Sequence, residues 1–171
     1  MSARRIGKWL ADAAPYEALS LALQMEMGAV RLYAAMARAA KDRLSSAKFR
    51  YLAEEERGHA RLLAAARKAM ARPERAHRLP AALSEVEGLP EDDSPEASVR
   101  LAIRAEKNSE KFYSNCAARC RKPDARNLFN GLAAQESRHA RLLQEELVLL
   151  GGGFAWRSLE GTPPPEDNFW A

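Results

Sequence analysis

The chain is poor in the residues that build most alternatives to a helical bundle. Two cysteines in 171 residues leave no disulfide scaffold, and a reducing cytoplasm is the expected compartment. Aromatic residues make up only 7%, and the nine glycines and nine prolines gather outside the periodic segments, a distribution that favours helices. No apolar run approaches the roughly 20 residues that a membrane span needs. The basic N-terminal decapeptide is followed by Asp12, Pro15 and Glu17 instead of an apolar core, so no secretory signal is expected. Histidine is rarer than any of these except cysteine, with three copies, and two of them fall in one pattern described below.

What is abundant is alanine, leucine and alternating charge. A hydrophobic fraction of 47% in a chain of this length suffices for one domain with a packed core. The formal charge is +4. Arginines alternate with glutamates along helical faces, which reads as a solvated mixed-charge surface, and nucleic acid is not an expected partner.

Three- and four-residue periodicity predicts four helices. The first runs from about Pro15 to Asp42, with Leu19, Leu23, Glu26, Val30, Tyr33 and Ala37 inward. The second starts at an N-cap, Ser45 or Ser46, and runs to about Ala71 before Pro73, with Phe49, Leu52, Glu56, His59 and Leu63 on one face. The third opens on Ser94-Pro95-Glu96, a cap, a first-turn proline and an early acid, and reaches about Arg121 with Val99, Ile103, Glu106, Tyr113 and Cys120 in a stripe. The fourth begins near Pro123 and ends before Gly151, with Leu128, Leu132, Glu136, His139 and Leu143 aligned. Short turns inside each pair make antiparallel hairpins, and the proline- and acid-rich stretch 72–93 is a crossover between them. The expected organisation is an all-α, ferritin-like four-helix bundle over 1–150 and an irregular tail over 151–171.

The two hairpins repeat. An 80-residue shift lays Phe49 on Phe129, Leu52 on Leu132, and His59-Ala-Arg-Leu-Leu on His139-Ala-Arg-Leu-Leu. Each half carries Glu-x-x-His, as Glu56 with His59 and Glu136 with His139, and a glutamate 30 residues upstream, Glu26 and Glu106. The midpoints of the two glutamate pairs, 41 and 121, fall in the turns. Fifteen residues out and fifteen back, at about 1.5 Å each, return to the same height. Glu26 then faces Glu56, and Glu106 faces Glu136. The i and i+3 positions of Glu-x-x-His share a helix face. Four glutamates and two histidines at one level are the donor set of a two-metal carboxylate site. Four negative charges neutralise two divalent ions, as a low-dielectric core requires. Oxygen and imidazole donors without thiolate suit iron or manganese.

The stretches Glu106-Lys-Asn-Ser-Glu-Lys-Phe-Tyr and Leu52-Ala-Glu-Glu-Glu-Arg-Gly-His resemble the rubrerythrin branch of the ferritin-like superfamily, and the likeness covers about Tyr16 to Leu150. The resemblance implies that Glu26, Glu56, His59, Glu106, Glu136 and His139 bind two irons, with manganese or a mixed pair compatible with the same donors. It implies hydrogen-bond donation from Tyr33 and Tyr113 to ligand carboxylates; ordinary core packing of both tyrosines is the alternative. It further implies a diiron peroxidase or oxidase acting on hydrogen peroxide or dioxygen. In that scheme Glu56 and Glu136 bridge the metals and Glu26 and Glu106 are terminal.

Two departures stand out. The 171 residues contain no paired Cys-x-x-Cys knuckles of the rubredoxin kind, so the expected electron source is a separate donor such as a rubredoxin-type protein. The family's extra glutamate, three residues beyond the third-helix ligand, is replaced by Ser109, with Glu110 one step on. Ferroxidase and iron storage, or a metal-stabilised binding module without turnover, are the competing functions. A homodimer or higher homo-oligomer is the expected assembly. Cys116 and Cys120 are expected in the core, and Glu54, Glu55, Glu110 and His77 in solvent. The tail aromatics Trp156, Phe169 and Trp170 are expected to pack on the bundle or on a neighbour.

Overall fold

The computed structural model describes residues 15–70 and 94–150. The crossover with His77 and the tail with its aromatics lie outside the described residues. Four helices occupy nearly all of what is described: α1 (Pro15–Ala39), α2 (Arg43–Lys68), α3 (Pro95–Arg119) and α4 (Pro123–Leu150). α1 packs on α2 and α3 on α4 as two hairpins. No strand occurs among the described residues.

Local chemistry sets the helix ends. Ser94 caps α3 as expected: its backbone is extended and its side chain accepts from Ala97 N at 3.1 Å, with Pro95 in the first turn. The cap of α2 differs from expectation. Asp42, not Ser45 or Ser46, is the N-cap, extended at φ −106° and ψ 155°, and it accepts from Ser45 N at 2.8 Å. Both serines are occupied elsewhere. Ser46 Oγ donates to Ala37 O at 2.8 Å, closing the end of α1, and Ser45 Oγ donates to Glu146 of α4. α1 therefore stops at Ala39 instead of Asp42. α3 stops at Arg119 because Cys120 turns to an extended ψ of 123°. The turns centre on residues 41 and 121, the midpoints of the two glutamate pairs.

The apolar core comes in two parts. One cluster joins Leu19, Leu21 and Ala22 of α1 to Leu63 of α2, Phe112, Tyr113 and Cys116 of α3, and Phe129 and Leu132 of α4. The other joins Tyr33 and Met36 to Phe49 and Leu52, Val99 and Ile103, and Leu143. The start of α1 thus meets the ends of α2 and α3, so the hairpins pack antiparallel to each other, and α2 ends at the opposite end of the bundle from the start of α3. Leu23, Ala37, Leu128 and Cys120, expected inward, are only half-buried. Cys116 is buried and Cys120 half-buried, and neither forms a disulfide. Burial pushes the Cys116 thiol up to about 12, which makes it a packing group with little thiolate.

Between α2 and α4, Glu146 is buried, accepts from Ser45 Oγ and is paired with Lys48 Nζ at 2.7 Å. The repeat-related residues are Ala66, Ala125 and Leu128, so this polar contact exists at one end of the bundle only.

Leu143 is 1% exposed in the second cluster, while Leu149 is 59% exposed on the same helix. Leu143→Ala should lower unfolding free energy by about 2–5 kcal/mol, and Leu149→Ala by no more than about 0.5 kcal/mol. Urea denaturation of the two variants measures the difference; equal effects would contradict this placement of the core.

Candidate metal centre

The layer between the two apolar clusters is charged. Glu26, Glu56, His59, Glu106, Glu136 and His139 are all at most 2% exposed, one glutamate from each of the four helices and one histidine from each of α2 and α4. All six sequence-predicted donors are thus brought to one place. They form two overlapping groups, Glu26–Glu56–His59–Glu136 and Glu56–Glu106–Glu136–His139, each with donor atoms within 4.8 Å of one another. Glu56 and Glu136 belong to both.

The histidines turn the same ring atom inward. His59 Nδ1 lies 3.0 Å from Glu56 Oε2, 3.1 Å from Glu136 Oε1 and 3.7 Å from Glu26 Oε2. His139 Nδ1 lies 2.8 Å from Glu56 Oε1 and 3.7 Å from Glu106 Oε2. The rings stack at 5.5 Å and 14°. Close as these atoms are, Glu56 Oε1, Glu106 Oε2, Glu136 Oε1 and His139 Nδ1 have no aligned hydrogen-bond partner. Buried polar atoms are ordinarily satisfied. Four that converge without pairing fit a pair of cations lying between them, which is the test the donor set has to pass.

The supporting contacts cross between hairpins. Tyr33 of α1 donates its hydroxyl to Glu106 of α3, and Tyr113 of α3 donates to Glu26 of α1. Both tyrosines are fully buried and also pack in the apolar clusters, so the two roles weighed from sequence are filled together. Burial and then the neighbouring carboxylates, Glu106 for Tyr33 and Glu26 for Tyr113, hold both hydroxyls well above their usual range, so they remain donors.

Sequence reasoning missed one residue. Gln135 of α4 is half-buried and its Oε1 sits 2.6 Å from His59 Nε2. An amide oxygen accepts, so Nε2 carries the proton, and in the neutral ring the Nδ1 lone pair then faces the carboxylates. The only signal was its place beside Glu136. The repeat-related residue is Glu55, expected in solvent but half-buried, with the Tyr51 hydroxyl against its carboxylate. Glu110, likewise expected in solvent, is also half-buried and belongs to neither cluster, whereas Glu54 is exposed and pairs with Arg57 at 2.9 Å.

In the metal-free protein, protons on some of these groups would offset the charge of the others. Burial, and then the proton shared with Glu56, raise Glu26 from 4.5 to about 8. Burial likewise lifts Glu136 well above the carboxylate range, with Glu106 and Glu56 adding to it. Glu56 is also pushed up by burial, but its contacts with Glu26, His139 and His59 outweigh that and hold it low. Burial would lower both histidines; instead the surrounding glutamates, Glu136 foremost, raise His59, and Glu106 and Glu56 raise His139 from 6.5 to about 9.

These shifts fix a pH dependence for the metal-free protein. Glu26 and His139 bind protons more tightly when folded. Their contribution to stability is complete below 4.5 and 6.5 and is lost as pH rises through about 8 and about 9. Glu56 has the opposite sign and acts only below the usual carboxylate range. Between pH 6 and pH 9 the metal-free protein should therefore lose stability, by up to about 1.4 kcal/mol per pH unit for each proton concerned. Saturation with a divalent ion should abolish the trend, because bound donors are already deprotonated. Thermal melts across that range, with and without metal, test it; a metal-free Tm that stays level or climbs would refute it.

The comparisons with known proteins agree with this geometry. No curated protein matches the chain. A hypothetical protein from Pyrococcus furiosus is similar in structure at a TM-score of 0.70 and 26% identity, covering 84% of this chain and 94% of its own. An uncharacterized conserved protein from Magnetospirillum magnetotacticum shares the fold at a TM-score of 0.67 and 21% identity, covering 91% and 99%. The rubrerythrin family matches residues 17–147, a span that takes in nearly all of the four helices and all six buried donors, and the chain belongs to that family.

Proposed function

We propose that the protein is a non-haem diiron oxidoreductase that reduces hydrogen peroxide or dioxygen with electrons from a separate donor. The observation that carries this is the pair of overlapping buried clusters, each with its own histidine and outer glutamate and with Glu56 and Glu136 in common. In this reading Glu56 and Glu136, which belong to both donor groups, would serve both metals. Glu26 with His59 and Glu106 with His139 complete one site each. Bound iron supplies reversible one-electron chemistry that no side chain at this place offers.

The chain's own part is geometry and charge. Tyr33 and Tyr113 fix the outer carboxylates through their hydroxyl protons, and Gln135 fixes the His59 ring. The apolar clusters on either side keep bulk water from the layer. No helix among the described residues is long and apolar enough to cross a membrane. A cytoplasmic setting, a rubredoxin-type donor and a homodimer complete the proposal.

Metal analysis followed by anaerobic loading with ferrous ion, then rapid mixing with peroxide or with oxygen, tests it. About two metals per chain and consumption of one oxidant in preference to the other are expected. Glu56→Ala should remove at least one metal and suppress consumption by more than about 100-fold. Gln135→Ala should weaken metal binding by about 10–100-fold in a chelator competition while leaving the fold intact. Wild-type protein that binds less than about one metal per chain, or a Glu56→Ala variant identical to it, would sink the proposal. A gel-filtration mass near that of a dimer would separate it from storage in a cage.

A further inference from the structure

The outer side of α3 carries four cations in one line. Arg100, Arg104, Lys107 and Lys111 follow at steps of four, three and four residues, and all are exposed. Such steps place them on one face, over about 16 Å of helix. Glu106 belongs to the same helix but points inward and is 2% exposed. The cations and the buried carboxylate thus lie on opposite sides of a single helix.

Helix stability does not account for the line. Three of its neighbouring pairs, 100 with 104, 104 with 107 and 107 with 111, are like-charged and mildly unfavourable. No ion pair joins any of the four to an acid among the described residues, whereas on α2 Glu54 is paired with both Arg57 and Arg61. The internal repeat does not impose it either. The matching residues of α1 are Ser20, Gln24, Met27 and Arg31, with a single cation.

We infer that this line on α3 is the docking surface for a small acidic protein that delivers electrons to the buried site. The inference rests on the redox function proposed above, in which electrons come from a separate donor. An acidic face laid on the four cations stands about one helix diameter, 10–12 Å, from Glu106. Two reduced donors each lose one electron, and hydrogen peroxide takes both with two protons from solvent to become two waters. A nucleic acid fits less well: the aromatics of α3, Phe112 and Tyr113, are buried, so the surface offers charge without a stacking platform for bases.

The test uses the full-length, iron-loaded protein with reduced rubredoxin, a small acidic iron–sulfur protein, as probe, and a zwitterionic viologen as a reductant that needs no docking. The triple variant Arg100→Glu, Arg104→Glu, Lys111→Glu keeps good helix formers and touches no buried donor. Rubredoxin-driven peroxide reduction should fall at least about tenfold and lose most of its salt dependence, with the viologen-driven rate unchanged. The matching glutamine triple variant should fall between the two. An unchanged rubredoxin rate and salt response, or equal losses with both reductants in both triple variants, overturns the inference. Fluorescence anisotropy with labelled rubredoxin and with a labelled single-stranded oligonucleotide decides the surface independently of turnover. Loss of rubredoxin binding in the triple variant supports it. Tighter oligonucleotide binding that alone is lost assigns the surface to nucleic acid. If wild-type protein fails to turn over even with the viologen, the redox function falls, and the anisotropy result still rules on the docking surface.

Discussion

Four carboxylates in a layer that water does not reach repel one another, and the rest of the bundle is arranged around that repulsion. Two acids of opposite hairpins, Glu56 and Glu136, lie in both donor clusters, and Glu26 and Glu106 close the two outer sides. Burial drives Glu26 and Glu136 toward the neutral form, and the two imidazoles take up positive charge against their own desolvation. Protons can balance the layer in that way, but they leave four buried donor atoms without aligned partners. Divalent ions would balance the charge and engage those atoms together. A core built only for stability would gain from replacing such a layer with leucines of similar volume.

The internal repeat explains how the layer is made, and its failures show where the two halves differ in task. Repetition supplies matched heights for Glu26 with Glu56 and Glu106 with Glu136, and matched tyrosines that reach across to the opposite hairpin. It does not supply Gln135, whose counterpart is Glu55; the amide meets the His59 ring, whereas the carboxylate meets the Tyr51 hydroxyl. Nor does it supply the Ser45–Glu146–Lys48 contact, replaced by alanines and a leucine at the other end. A pseudo-symmetric bundle could pack its hairpins in shifted registers, and a part-buried ion pair present at only one end favours one of them.

Much of this was legible in the sequence because it depends only on counting. In an antiparallel hairpin the height of a residue follows from its distance to the turn, so residues 26, 56, 106 and 136 could be levelled without knowing any side-chain contact. The cap of α2 was not legible in the same way. Asp42, Ser45 and Ser46 are all competent caps, and the choice falls to Asp42 because Ser45 is engaged by Glu146 a hundred residues away and Ser46 by the last turn of α1. Gln135 escaped for a related reason. Which residue meets the outer nitrogen of His59 depends on how α4 is rotated against α2, and that rotation is set by packing between hairpins. Glu146 left a trace that can be recognised afterwards: it continues the three- and four-residue steps from His139 and Leu143, so it lies on the inward stripe of α4.

The division of the core into two apolar clusters bears on how metal binding and folding are linked. Each cluster draws on all four helices, yet the layer that separates them contributes repulsion unless it is neutralised. Tyr33 and Tyr113 tie that layer to both clusters at once, since each packs in apolar surroundings while its hydroxyl holds a carboxylate of the other hairpin. Movement of one hairpin against the other would break both tyrosine bonds, separate Glu56 from Glu136 and expose the edges of both clusters. Docking of the hairpins and assembly of the donor set are therefore one event. A cation bound between Glu56 and Glu136 stabilises the pairing of the hairpins as directly as it is held by them.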